Sequence, residues 1–258
     1  MRRSAWAAAA AAAWSIAAFA QGERFATRAG GELGVQAATY EYDEPNFAFL
    51  EGERVGISGA YTFPGRDEVH SRIEGRYSYA ELDYTGSGTI AGAPDYLVEV
   101  RALLGQDLRA GGLLWVPYVG IGLRYLYSDL RGVSSTGENG YRRRSRYLYA
   151  PIGVTLRIPL GLRWTLAPEL EYDFFVDGRQ RSYLQDADPA LPNVTNTQSR
   201  GRGARARLGL ETGRWSLSLW THYWKIKNSD VQPIGPGVGL LEPANSTQET
   251  GVELRYRF

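Results

Sequence analysis

The sequence predicts an all-β fold: a single antiparallel up-and-down β-barrel of about ten strands that crosses a membrane. Three observations predict it. Segments of roughly ten residues alternate apolar and polar with period two, the spacing of a strand whose two faces meet different surroundings. The connections are short and long in turn, the layout of a membrane barrel with tight turns at one end and loops at the other. The face opposite the apolar one carries both signs of charge on nearly every strand. That is too charged for the solvent side of an ordinary soluble sandwich, and it suits a polar barrel interior.

The chain opens with a targeting segment. Arg2 and Arg3, an Ala-rich run and Ala18-Phe19-Ala20 form the charged start, apolar middle and small-residue exit of a secretory signal over residues 1–20. Cleavage is expected before Gln21, followed by a lead-in at 21–32 and the barrel at 33–258. The apolar run is too short and too rich in Ala for a membrane-spanning helix.

Composition fits this reading. Lys+Arg number 29 against Asp+Glu 28, which argues against a nucleic-acid partner. There is no Cys, so there is no disulfide frame or thiolate metal site. His70 and His222 alone cannot build a multi-histidine metal centre, and no metal or other cofactor is expected. Tyr 17, Trp 7 and Gly 31 are high and Met 1 is low, which suits strands, turns and aromatic bands.

The strands follow in order at 32–42, 54–63, 69–82, 95–105, 115–127, 146–158, 162–175, 203–212, 215–227 and 250–258. The first is the least regular. The second places Val55, Ile57, Tyr61 and Phe63 on one face. The fifth does so with Val119, Ile121, Leu123, Tyr125 and Tyr127, and the sixth with Leu148, Ala150, Ile152, Val154, Leu156 and Ile158. Short connections fall at 64–68, 106–112, 159–161 and 213–214. Long ones, rich in Gly, Pro, Asn, Asp and Ser, fall at 43–53, 83–94, 128–145, 176–202 and 228–247. An even strand count puts both ends of the mature chain at the short-turn side. Tyr61, Phe63, Tyr125, Tyr127, Trp164, Phe174, Trp215 and Tyr223 lie near the ends of the apolar face, where membrane-interface girdles belong.

The other face supplies the candidate interior charges: Arg72, Glu74, Arg76, Glu99, Arg101, Arg124, Arg157, Arg163, Glu169, Glu171, Asp173, Arg205, Arg207, Glu211, Glu253 and Arg255. They are expected to pair across the bore, as a plug of salt bridges or as the lining of a narrow polar channel. Barrels of about this size are just wide enough for side chains to fill. Trp220, His222 and Trp224 share the inward face and form either a ligand-stacking shelf or bulky filling.

The chain ends GVELRYRF, with Val252, Leu254, Tyr256 and Phe258 on one face. A strand can stop there without leaving an open edge if it pairs with the first strand of a closed barrel. On this ending and the strand pattern, the mature chain resembles the outer-membrane β-barrel proteins of Gram-negative bacteria, in the manner of small porin-like or OmpA-like barrels. The resemblance implies a bacterial outer-membrane location and recognition of Val252, Leu254, Tyr256 and Phe258 by the barrel-insertion machinery. It also implies contact with outer-membrane lipids and lipopolysaccharide.

A catalytic site is not expected. The chain is similar to omptin-like proteases in size and strand count, and those need an acidic pair and an Asp–His pair at the outer rim. Asp83 stands near Glu81, but His222 has no acidic neighbour two positions away, and Asp230 lies in a loop. Lipid-deacylating barrels set a Ser–His pair on the outer wall, whereas His222 faces inward with Ser216 and Ser218. The basic stretches 141–146, Arg179, Arg181 and 200–207 are expected in or beside long loops. There they would meet the phosphates of lipopolysaccharide or hold a surface polyanion. The first expectation is therefore a monomeric porin-like or structural barrel that fills its lumen or passes small polar solutes. The alternative is an adhesin-type surface protein whose loops bind a polyanion.

Overall fold

The alternation closes into a ring. In the computed structural model, which describes residues 26–258, ten long strands form it: β1 (Gly30–Glu44), β2 (Ala48–Pro64), β3 (Val69–Gly86), β4 (Gly88–Gln106), β6 (Leu113–Asp129), β7 (Arg142–Leu160), β8 (Trp164–Ser182), β10 (Gly201–Thr212), β11 (Trp215–Ile226) and β14 (Asn245–Arg257). Four short strands decorate them: β5 (Leu108–Ala110), β9 (Val194–Gln198), β12 (Val231–Gly235) and β13 (Val238–Leu241). Each long strand pairs antiparallel with the next, and β14 returns to β1 with Val35 opposite Leu254 and Ala37 opposite Val252. This seam removes the sheet edge that the final strand would otherwise expose. The Phe258 N–H donates to Gly31 O at 3.2 Å, just beyond the last strand residue. The signal at 1–20 lies outside the described residues. Strand β1 starts at Gly30.

The outward face is apolar at mid-height. Leu33, Val35, Val55, Ile57, Val100, Ile121, Leu170, Leu217, Leu219 and Val252 are all exposed on it. On β7 the outward run from Leu148 to Ile158 spans ~25 Å along the barrel axis at ordinary strand rise and tilt, the height of a membrane band.

Two connections expected to be long are tight hairpins. Residues 43–53 turn at 45–47, where Phe47 N–H donates to Glu44 O at 2.9 Å and Asn46 takes φ 69°. Residues 83–94 turn at Ser87, with Gly88 at φ 127°. The expectation failed because polarity in these stretches marks height, not loop. Above the apolar band the strands continue with their polarity inverted. Glu41, Glu51, Glu53, Glu81 and Asp83 point outward, while Tyr40, Leu50, Ala80 and Leu82 are buried inside. The lower barrel is thus apolar outside and charged inside, while the upper barrel turns carboxylates outward on β1–β3 and packs apolar side chains inside around a few buried ion pairs.

Three connections at the upper end are long. Residues 130–141 form an irregular loop, 183–200 hold a 3-10 turn (Leu184–Asp186) and β9 against β8, and 227–244 hold the β12–β13 hairpin.

Candidate functional site

In the bore, charge, burial and aromatic rings converge. Strand parity puts the side chains of all ten long strands there, and the register sets their heights. Its lower and middle levels are an ion-pair lattice. Arg72 Nη2 donates to Glu32 Oε2 and Arg72 Nε to Glu74 Oε1, both at 2.6 Å. Arg101 joins Glu74 to Glu171, donating to Glu171 Oε1 at 2.6 Å. Arg76 Nε donates to Glu99 Oε2 at 2.7 Å and its Nη1 to Glu249 Oε2 at 2.9 Å. Arg124 Nη2 also reaches Glu249, at 2.8 Å. Arg157 pairs with Glu211, Arg207 with Glu253, and Arg255 Nε with Glu253 at 2.9 Å. Thr155 Oγ1 donates to Glu169 at 2.9 Å. Guanidinium forks shared between carboxylates from different strands tie the wall across its diameter.

His222 sits at the centre. Its Nε2 is 3.0 Å from Asp173 Oδ2, and its Nδ1 faces two guanidinium groups, Arg124 Nη1 and Arg205 Nη2, each at 3.3 Å. Guanidinium can only donate, so Nδ1 must accept, and the proton sits on Nε2 and points at Asp173. Trp220 lies beneath the Arg76 guanidinium, 5.4 Å from the ring centroid. Trp224 is 1% exposed, with Tyr149 edge-on at 5.1 Å and His222 at 5.5 Å. Trp220 also lines a cavity of about 40 Å³ with Ser58, Arg76 and Arg205.

Above the lattice lies an apolar layer. Tyr40, Leu50, Leu82, Leu97, Leu126, Tyr147, Tyr149, Trp224 and Ile226 pack into one buried cluster across the bore. Glycine makes room for its largest rings. Tyr149 lies opposite Gly122 and Trp224 opposite Gly203, and in each case the ring occupies the space a Cβ would take. One more pair, Arg54 to Asp95 at 2.5 Å, is enclosed within this level with Arg54 2% exposed.

Fifteen of the sixteen expected interior charges face the bore; Arg163 does not. It lies in the exposed turn 161–163 between β7 and β8, because β7 runs on to Leu160 and β8 begins only at Trp164. Reading by sequence missed Glu32, Arg54, Asp95 and Glu249. Each continues the inward parity of its strand beyond the limits assigned to it or at its edge. Glu249 was lost because β14 starts at Asn245, inside a stretch read as loop. The Asp173–His222 contact was not visible either, since 49 residues separate the partners. Glu81 and Asp83 lie exposed on the outer wall of β3, away from His222. His70 sits at the short-turn end with Nδ1 3.8 Å from Asp107. Among the described residues, no group of three or more His, Cys, Asp or Glu side chains is arranged to hold a metal ion.

The family model for the outer membrane protein beta-barrel domain matches residues 6–174, well over half of the chain. The chain belongs to this family. Its place is therefore the bacterial outer membrane. Among solved structures, the outer-membrane protease OmpT from Escherichia coli is similar, at 13% identity and TM-score 0.48, covering 89% of this chain and 96% of that one. The β domain of the Bordetella autotransporter BrkA is similar at 11% identity and TM-score 0.46, covering 90% and 100%. Neisserial surface protein A follows at 13% and 0.34, covering 89% and 97%. No curated protein matches the sequence.

Inside this outer-membrane barrel the middle levels hold small cavities of about 40 and 30 Å³, and larger spaces lie towards the ends. At the short-turn end a cavity of about 130 Å³ lies among Arg72, Arg101, Arg157, Arg207 and Glu169. At the long-loop end a cleft of about 480 Å³ is lined by Phe47, Tyr84, Ile90, Leu130, Tyr141 and Leu241, with Glu44, Arg143 and Glu242. Arg143 contacts both carboxylates at once. Burial pushes the Glu242 carboxyl up to about 7, with Arg143 opposing and Glu44 adding to the rise.

The basic residues expected in loops are mostly on strands. Arg142 to Arg146 belong to β7, Arg179 and Arg181 to β8, and Arg202 to Arg207 to β10. Arg143, Arg205 and Arg207 point into the bore, whereas Arg144, Arg146, Arg179, Arg181 and Arg202 point outward from the wall.

Proposed function

We propose that this protein is a closed outer-membrane barrel without a solute path, a structural and surface-presenting member of its family rather than a pore. The observation that carries this is the pair of stacked layers in the bore. An ion-pair lattice fills the middle, and a continuous apolar cluster seals the level above it. An ion entering from the periplasm would meet paired charges and then a level of packed rings and aliphatic side chains in which the buried charges Arg54 and Asp95 are already paired with each other. Ten strands give a bore that side chains can fill, and here they do.

The extracellular end then remains as the working surface. The adhesin-type reading in which loops hold a polyanion is weakened, because the arginines assigned to those loops stand on strands. The test is single-channel conductance of the refolded mature protein in a planar bilayer. A silent bilayer containing inserted, heat-modifiable protein is expected. A steady salt-dependent current altered by Arg101→Ala or Glu169→Ala would overturn the proposal and make the charges a solute path.

A further inference from the structure

The outward face of β7 changes character at one step. Ile158, Leu156, Val154, Ile152, Ala150 and Leu148 give way to Arg146, Arg144 and Arg142. On β8 the same face passes from Tyr172 and Phe174 to Arg179 and Arg181. The register sets Arg144 directly opposite Arg181 and Arg146 directly opposite Arg179. Directly opposed residues share a face with Cβ atoms about 5 Å apart, and like charges so placed repel. Four guanidinium groups thus crowd together immediately above the apolar band, with Tyr125 and Tyr127 of β6 paired beside Arg146 and Arg144.

The surroundings do not neutralise them. Asp186 is taken up by Arg142, which donates to both its oxygens at 2.7 Å. Asp177 lies 3.9 Å from Arg179, with both side chains mostly in solvent. Arg144 and Arg181 instead lie over the Tyr183 ring at 5.8 and 5.0 Å, which holds their forks in place without supplying charge. The Arg181 Nε is buried and has no acceptor.

We infer that Arg144, Arg146, Arg179 and Arg181 form a binding site for a phosphate group of lipopolysaccharide in the outer leaflet. A phosphate offers several acceptor oxygens to several guanidinium forks, which removes the repulsion within the cluster. The height of the site argues for a lipid source. The cluster begins where the apolar wall ends, so a phosphate held there leaves acyl chains lying along Leu148, Ala150 and Phe174. The opposite side of the barrel presents Glu41, Glu51 and Asp83 in one cross-strand row at the same upper level, which repels the same group and confines it to β7 and β8. The inference does not depend on the bore being closed.

The test uses the full mature protein refolded in lipopolysaccharide-free detergent, with Arg144→Gln/Arg181→Gln as the variant and Arg109→Gln, at the periplasmic end, as control. Native mass spectrometry and urea unfolding are read with purified lipopolysaccharide, its dephosphorylated form, phosphatidylglycerol and inorganic phosphate. Wild type and control should retain lipopolysaccharide and gain urea resistance from it. The double variant should bind it at least ~10-fold more weakly, and should be as stable as wild type or more so without it, because repulsion is relieved. Equal retention by the double variant overturns the inference, as does equal retention of the dephosphorylated form. Equal protection by phosphatidylglycerol or inorganic phosphate overturns the assignment to lipopolysaccharide. Should the double variant fail to refold, Arg146→Gln/Arg179→Gln replaces it with the same expected result. A variant that loses stability equally with and without lipopolysaccharide shows a merely structural role and overturns the inference.

Discussion

Glu249 binds two arginines at once, deep in the bore. Arg76 and Arg124 both donate to it, and Arg124 and Glu249 are almost wholly removed from water. Buried ion pairs add little net stability when compared with a well-packed apolar core, but removing one partner strands the other charge. Glu249→Ala is expected to lower the stability of the refolded barrel by ~3–5 kcal/mol, read as a shift in urea midpoint on a folded–unfolded gel. Glu242 behaves differently, because its proton is in play near neutrality. Its folded pKa of about 7 stands above the ordinary value of 4.5. The unfolded carboxyl therefore loses its proton first as pH rises, and the docked state is penalised progressively from about pH 4.5 to pH 7. The β12–β13 hairpin should be held more firmly at pH 5 than at pH 8, after correction for intrinsic exchange rates, when its amide hydrogen exchange is measured. Glu242→Gln should flatten that difference, and an unchanged pH dependence in the variant would count against the assignment.

The strands show how far alternation can be read without a partner. Period two located all ten long strands and both faces at mid-height, because lipid outside and charge inside give opposite residues at each step. Reading stopped where the surroundings change. Above the membrane band β3 carries Glu81 and Asp83 outward with Ala80 and Leu82 inward, so the same parity continues with the opposite chemistry. Polar residues there looked like loop, and the hairpins at 45–47 and Ser87 were lost. Arg163 failed for a related reason, since a turn residue has no parity to inherit. The ring-on-glycine pairs were illegible for another cause: they exist only in the register between strands. Gly122 lies opposite Tyr149, whose hydroxyl donates to Glu99 at 2.7 Å. A methyl group at Gly122 would meet that ring, so Gly122→Ala should displace Tyr149 from Glu99. The expected cost is ~1–3 kcal/mol in the same urea assay, and a stability equal to wild type would refute this packing argument.

At the scale of the whole molecule, the proposed closure rests on two layers of unlike chemistry, and each should suffice to block ions. Trp224→Ala opens the apolar level but leaves the lattice below it, so the bilayer should stay silent. Combining Trp224→Ala with Glu249→Ala breaches both, and a small current is then expected if the combined variant still inserts. Conductance from Trp224→Ala alone would mean that the lattice is no barrier by itself. The upper wall carries a different property of the whole. Carboxylates on β1–β3 and guanidinium groups on β7 and β8 stand on opposite sides of the ring. Seen along the membrane normal, that separation is an electric moment lying flat in the leaflet. Two such barrels drifting to within a Debye length, about 8 Å at physiological ionic strength, exert a torque on each other. The arginine side of one turns towards the carboxylate side of the next, so a molecule round in outline acquires a preferred azimuth among its neighbours, and loses it as salt is raised.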